Sequence, residues 1–160
     1  MKKTVPALAT AVVALGLGLA APAQAENLGD YGGNTTTANQ LSPNACSASQ
    51  ASSEYKFAIY YNSNFGGSYR NIGYNVWNFA DERIEGAPQH GLQPLTFCHG
   101  GNGGGQGIKN NAASAKNKHA TYWAVVYYNS GYKGASDAIS RDMNLTQTKN
   151  QNASFAWYNS

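Results

Sequence analysis

The residues able to do chemistry in this chain are few and scattered. His90, His99 and His119 lack the close spacing of a zinc site, and no Ser-His-Asp ordering sits in a nucleophile-elbow context. Asp81, Glu82 and Glu85 are neighbours in one polar stretch, with no apolar run beside them to raise a pKa, so an acid–base pair is not expected there. The tract from Gly100 to Gly107 lacks the Lys-Ser/Thr that completes a phosphate loop and reads as a flexible loop. Cys98 precedes His99, but neighbours on a strand point to opposite faces, which argues against a thiol–imidazole couple. These patterns point away from an enzyme. Oxygen donors do recur: Asn110-Asn111-Ala112-Ala113-Ser114 has a second version in Asn150-Gln151-Asn152-Ala153-Ser154.

Such segments need elements to hold them, and the chain supplies strands. Phe57-Ala58-Ile59-Tyr60-Tyr61 and Trp123-Ala124-Val125-Val126-Tyr127-Tyr128 are aromatic and β-branched runs of strand length that stop at Asn-Ser and glycine. They are copies of one another. Tyr60 aligns with Tyr127 at an offset of 67, and Lys109-Asn110 aligns with Lys149-Asn150 at an offset of 40, so the first copy holds about 27 extra residues, between Gly73 and Ile108. Each copy reads aromatic, four residues, aromatic, one residue, glycine: Tyr60, Phe65, Gly67 and Tyr127, Tyr132, Gly134. Glycine supplies the positive φ that a sharp turn requires, and the two rings can meet across the folded hairpin.

This doubled motif resembles the Greek-key signature of βγ-crystallin domains. The resemblance implies an all-β fold in which two Greek keys form a βγ-crystallin-like sandwich, with a long insertion in the first key; the keys would span about 54–118 and 119–160. The Asn/Ser segments resemble that family's calcium signature, two Asn/Asp, two variable residues, then Ser/Thr and Ser. Asn110, Asn111, Ala112 and Ser114 match it better than Asn150, Asn152 and Ser154, and the resemblance implies a weak calcium site, since neither segment has a carboxylate. The alternative is a pair of turns whose Asn and Ser side chains bond their own backbone.

Lys2-Lys3, an apolar run from Val5 to Ala21 and Ala23-Gln24-Ala25 have the form of a secretory signal peptide, residues 1–25. Removing 25 of the 160 residues leaves 135, with 9 basic against 8 acidic side chains, so the basic pI of the whole chain lies mostly in that segment and nucleic-acid binding is not expected. No later apolar run approaches the ~20 residues of a membrane span. All 11 Tyr, 3 Trp and 5 Phe lie after residue 25, and such aromatic content supports a packed β domain. A secreted chain with two cysteines favours one disulfide, Cys46 to Cys98, over a free thiol. Residues 26–53 read as a polar leader, mobile except at Cys46, before the domain at 54–160.

Two functions follow. Secreted βγ-crystallin-like proteins resemble a peptidase inhibitor family whose named member inhibits metalloproteinases, which implies a monomeric inhibitor of an extracellular proteinase. Its loop would lie within Ile84 to Gly107, though no inhibitory residue can be named. The other reading is a non-catalytic extracellular module that binds wall polysaccharide, protein or calcium, with exposed Tyr and Trp as contacts. Tyr61 and Tyr128 alternate with Tyr60 and Tyr127, so one ring of each pair faces outward.

Overall fold

The computed structural model describes residues 35–82 and 92–159, with side chains from residue 37 onward. The proposed signal segment and residues 83–91, which include Glu85 and His90, lie outside them. Two antiparallel sheets face each other. The first has the order β2-β1-β3-β6, from β1 (Phe57–Tyr60), β2 (Tyr69–Ile72), β3 (Ser114–Asn117) and β6 (Met143–Asn144); the second has the order β5-β4-β7, from β4 (Tyr122–Asn129), β5 (Lys133–Ile139) and β7 (Ser154–Asn159).

The pairing identifies the two Greek keys. In the second key β4, β5 and β7 share a sheet, while β6 crosses over to pair with β3 of the first key, Ala115 opposite Met143. The first key returns the exchange. After β2 the chain crosses to the second sheet, where Val76 and Phe155 exchange both backbone hydrogen bonds, at 2.8 and 2.9 Å. Asn75 and Gly73 fix this crossing: Trp157 N–H donates to Asn75 Oδ1 at 2.8 Å, and its indole Nε1 donates to the Gly73 carbonyl at 2.9 Å. Each key therefore reaches into the other's sheet, the second through β6 and the first through the single bridge at Val76, an exchange that fits a βγ-crystallin-like sandwich.

Strand alternation fills the space between the sheets. Phe57 and Ile59 of β1, Ala124 and Val126 of β4, and Phe155 and Trp157 of β7 point inward. Phe57 stacks on Phe155 with centroids 4.4 Å apart, joining the layers through two rings. The insertion belongs to this core, because Phe79, Leu95, Phe97 and Ile108 are fully buried in it. Removing one such ring, for example Phe155→Ala, costs about 3–5 kcal/mol through lost transfer energy and the cavity left behind.

The leader departs from the expectation of mobility. From residue 35 onward it forms two short helices, α1 (Thr35–Leu41) and α2 (Pro43–Cys46), the second capped by the Ser42 side chain accepting from Asn44 N–H. The reason is one polar residue. Buried Asn39 donates through Nδ2 to Tyr74 O and Glu82 Oε1, and its Oδ1 accepts from Gly73 N–H and Tyr74 N–H. Around it Ala38, Ala45, Tyr55 and Tyr74 make a second apolar cluster. Tyr69 Oη donates to Ala48 O and Asn71 Nδ2 to Asn44 O and Ala48 O, so the leader covers the outer face of the first sheet at β2. Among the described residues no helix is long and apolar enough to cross a membrane.

Candidate functional site

The repeated motif builds two equivalent hairpins. Tyr60 and Phe65 meet edge-on at 5.9 Å, and Tyr127 and Tyr132 meet at a tilt of 57° with centroids 6.1 Å apart. Gly67 and Gly134 have φ of 73° and 82°, and a Cβ at either would come within 2.9 Å of Asn62 Nδ2 or 2.8 Å of Asn129 Nδ2, so only glycine fits. A serine locks each turn. Ser114 Oγ donates to Asn62 O at 2.6 Å and accepts from Phe65 N–H at 3.0 Å; Ser154 Oγ donates to Asn129 O at 2.7 Å and accepts from Tyr132 N–H at 3.1 Å.

Between the hairpins the two Asn/Ser segments clasp each other. Asn110 N–H donates to Asn152 O and Asn150 N–H to Ala112 O, with Asn110 and Asn150 both at positive φ, 63° and 55°. Asn152 is buried, donating to Ile108 O while its Oδ1 accepts from Ala112 N–H, and Asn111 Nδ2 donates to Gly107 O. Two clefts of about 350 and 370 Å³ open beside the clasp. Tyr61, Asn62, Asn110, Asn111 and Lys149 line one; Tyr128, Asn129, Lys109, Asn110 and Asn150 line the other.

Apart from Asn110 and Asn150, which line both clefts, the side chains expected to hold calcium are engaged elsewhere. Ser114, Ser154, Asn111 and Asn152 already hold the turns through their side chains, and each cleft is lined by a lysine and by no carboxylate. An ammonium group opposes a divalent cation, and neutral oxygens alone give little to offset that. For Ser114, Ser154, Asn111 and Asn152, self-bonded turns describe what the side chains do.

The other built feature is a small hairpin in the insertion. Thr96 bridges Gly107, Phe97 N–H donates to Gln106 O at 2.8 Å, and Gly105 N–H returns to Phe97 O at 3.1 Å. The glycine tract, expected to be flexible, is an ordered turn whose glycines serve geometry. Gly103 lies so close to the Tyr61 ring that a Cβ would be 2.2 Å from Cγ, and its φ is 86°. Tyr61 in turn packs its edge on Phe97 at 5.6 Å, so it faces the core. Its neighbour Tyr60 points the other way and is covered, stacking on Tyr69.

Three ties hold this hairpin to β2. Cys98 N–H donates to Tyr69 O at 2.9 Å, Ser68 Oγ donates to Cys98 O, and Ser68 N–H donates to Asn102 O at 2.8 Å. The Cys46–Cys98 disulfide adds the leader, with Cα atoms 5.4 Å apart. Buried Arg70 completes the junction, donating to Thr96 O and to Asn39 O at 2.6 Å; burial lowers its pKa to about 10. The tip, His99 to Asn102 with Gly105 and Gln106, stays exposed.

One carboxylate corrects the sequence reading. Glu82 is 2 % exposed, and burial raises its carboxyl to about 7, with the Asn39 hydrogen bond opposing and nearby Asp81 adding to the rise. The burial comes from α1, whose contribution no local hydrophobic period announced. His119 is structural: its Nδ1 accepts from Thr121 N–H and Tyr122 N–H, and its ring packs on Tyr122 and Trp157.

Residues 73–139 match the family described as peptidase inhibitor family I36. That stretch contains the whole hairpin, β3 of the first key and the first two strands of the second key, β4 and β5, but not the leader. Among solved structures, a βγ-crystallin domain from Flavobacterium johnsoniae is 19% identical, with 66% of this chain and 96% of that chain covered and a TM-score of 0.44. The N-terminal domain of protein S is 17% identical, with coverages of 64% and 94% and a TM-score of 0.44. A structure described under the evolution of the eye-lens βγ-crystallin domain fold is 13% identical, with coverages of 66% and 87% and a TM-score of 0.43. No curated protein matches the chain in sequence.

Proposed function

We propose that this chain is a secreted, monomeric, non-catalytic inhibitor that binds an extracellular metalloproteinase through the hairpin from Thr96 to Gly107. The match to a peptidase inhibitor family over residues 73–139, a span that includes the hairpin, is the observation that carries this reading. The geometry supports it. An inhibitor loop must meet a cleft without a large loss of freedom, and fixing one free residue costs about 1–2 kcal/mol in backbone entropy. Here that cost is met in folding, because the base is fixed by backbone hydrogen bonds, by Ser68 and by the disulfide, while the tip remains open. Preorganisation of this kind lets an interface of about 800 Å² per partner bind tightly.

The test is titration of a thermolysin-like, a subtilisin-like and a papain-like proteinase with the purified chain. Inhibition of the thermolysin-like enzyme is expected, weakened by His99→Ala and Gln106→Ala at unchanged melting temperature. Full residual activity of all three enzymes at stoichiometric excess would reject the proposal.

A further inference from the structure

The two sheets differ on their outer faces. The first is covered at β2 by the leader, whereas the second carries a row of rings open to solvent. Alternation turns Trp123, Val125 and Tyr127 of β4 outward, and Ala156 and Tyr158 of β7 with them. Register sets Trp123 directly opposite Tyr158, and the two remain 42% and 49% exposed. From there the row continues: Tyr158 hydrogen-bonds Tyr127, Tyr127 lies 6.1 Å from Tyr132, and Tyr132 meets Trp77 edge-on at 5.3 Å. Trp77 closes the row, 61% exposed and held by Gly131 N–H donating to its carbonyl at 2.8 Å. From Trp123 to Tyr127 alone the strand advances about 13 Å.

We propose that this row is a docking surface for a neutral, extended polysaccharide. Charge points to that occupant, because among the described residues the outward positions between the rings are the uncharged Val125, Ser136, Ala138 and Ala156, and Glu82, whose charge acts on Tyr132, is buried. Area points the same way. At about 150–250 Å² per aromatic side chain, the exposed parts of Trp77, Trp123 and Tyr158 offer roughly 300 Å², well below the ~800 Å² per partner of a stable protein interface. A second copy of this chain would be held weakly by so small a patch. A polymer of neutral sugar rings needs only a narrow track, with its apolar ring faces on the aromatics and its hydroxyls meeting Tyr127, Tyr132 and Tyr158. The proteinase-binding hairpin sits on the first sheet at β2, so the row would hold the inhibitor on a wall or matrix with the hairpin free.

The experiment uses the full chain, with retention measured on insoluble chitin and cellulose and tryptophan fluorescence titrated with soluble chitohexaose. The expected result is retention on at least one polymer, weakened at least about tenfold in a Trp123→Ala/Tyr158→Ala double variant, as truncating two stacking anchors should do. Leu92→Ala, which removes a 67% exposed apolar side chain in the insertion, should leave binding unchanged. Thermal melts confirm that the variants are folded. The proposal is overturned if the wild type is retained on neither polymer, or if the double variant binds as well as the wild type. It is also overturned if ultracentrifugation shows a dimer that the double variant dissolves, or if that variant loses proteinase inhibition and keeps glycan binding.

Discussion

Replacing Glu82 with glutamine should raise stability at neutral and alkaline pH and leave it nearly unchanged in acid. Burial lifts the carboxyl from an ordinary 4.5 to about 7 in the folded protein. Folding therefore favours the neutral acid. The associated stabilisation is fully present below the unfolded value of 4.5 and is lost as pH rises through about 7. The gap of 2.5 between the two values corresponds to about 3 kcal/mol at 1.36 kcal/mol per unit. Glutamine keeps an Oε1 acceptor for Asn39 Nδ2, 3.2 Å away in the wild type, and carries no charge at any pH. Urea unfolding of both proteins at pH 4.5, 6, 7 and 8.5 reads the difference directly. Asp137 acts in another window and cancels between them: burial raises its pKa, hydrogen bonds from Thr146, Thr148 and Gln147 outweigh that, and the net lowering makes its contribution disappear as pH falls. A difference between the two proteins that stays flat with pH, or a wild type that is the more stable at pH 8.5, would refute the burial of Glu82 under α1.

Other outcomes follow from the ties in the fold. Cys46→Ser/Cys98→Ser should lose about 4 kcal/mol of stability, the closure entropy of a loop spanning 52 positions, read by denaturant midpoint, and should weaken inhibition further by loosening the hairpin. Ser114→Ala and Ser154→Ala should each cost about 2 kcal/mol, because each strands a carbonyl and an N–H at equivalent places. Unequal losses would contradict the equivalence of the two hairpins. Melts in millimolar calcium and in chelator should coincide, where a site filled at 100 times its dissociation constant would add about 2.7 kcal/mol.

The doubled hairpin was legible in the sequence because its chemistry is local: a turn at positive φ demands Gly67 and Gly134, and the rings that cover it recur at fixed spacing. The exchange of strands between keys was not, since Val76 contributes a single bridge and β6 only two residues, too short for any period of two. The order of the leader escapes the sequence for a related reason. Its docking rests on Asn39, whose four hydrogen bonds reach residues 34 to 43 positions away, and hydrophobic patterning does not register a buried amide. The burial of Glu82 escapes it too, because the helix that hydrogen-bonds its carboxyl comes from the leader. In the tract from Gly100 to Gly107, composition suggested freedom, while Gly103 is required by the closeness of Tyr61. The Asn/Ser segments match a metal signature in residue type, but the side chains of Ser114, Ser154, Asn111 and Asn152 are committed to the backbone and the clefts are lined by Lys109 and Lys149.

The most direct test of the inhibitor reading is an active-site titration of a thermolysin-like metalloproteinase with the intact chain and with the Cys46→Ser/Cys98→Ser variant. Activity should fall to completion at a one-to-one ratio with the intact chain, and far less steeply with the variant. Undiminished activity in the presence of excess intact chain, with the subtilisin-like and papain-like enzymes equally unaffected, would contradict it.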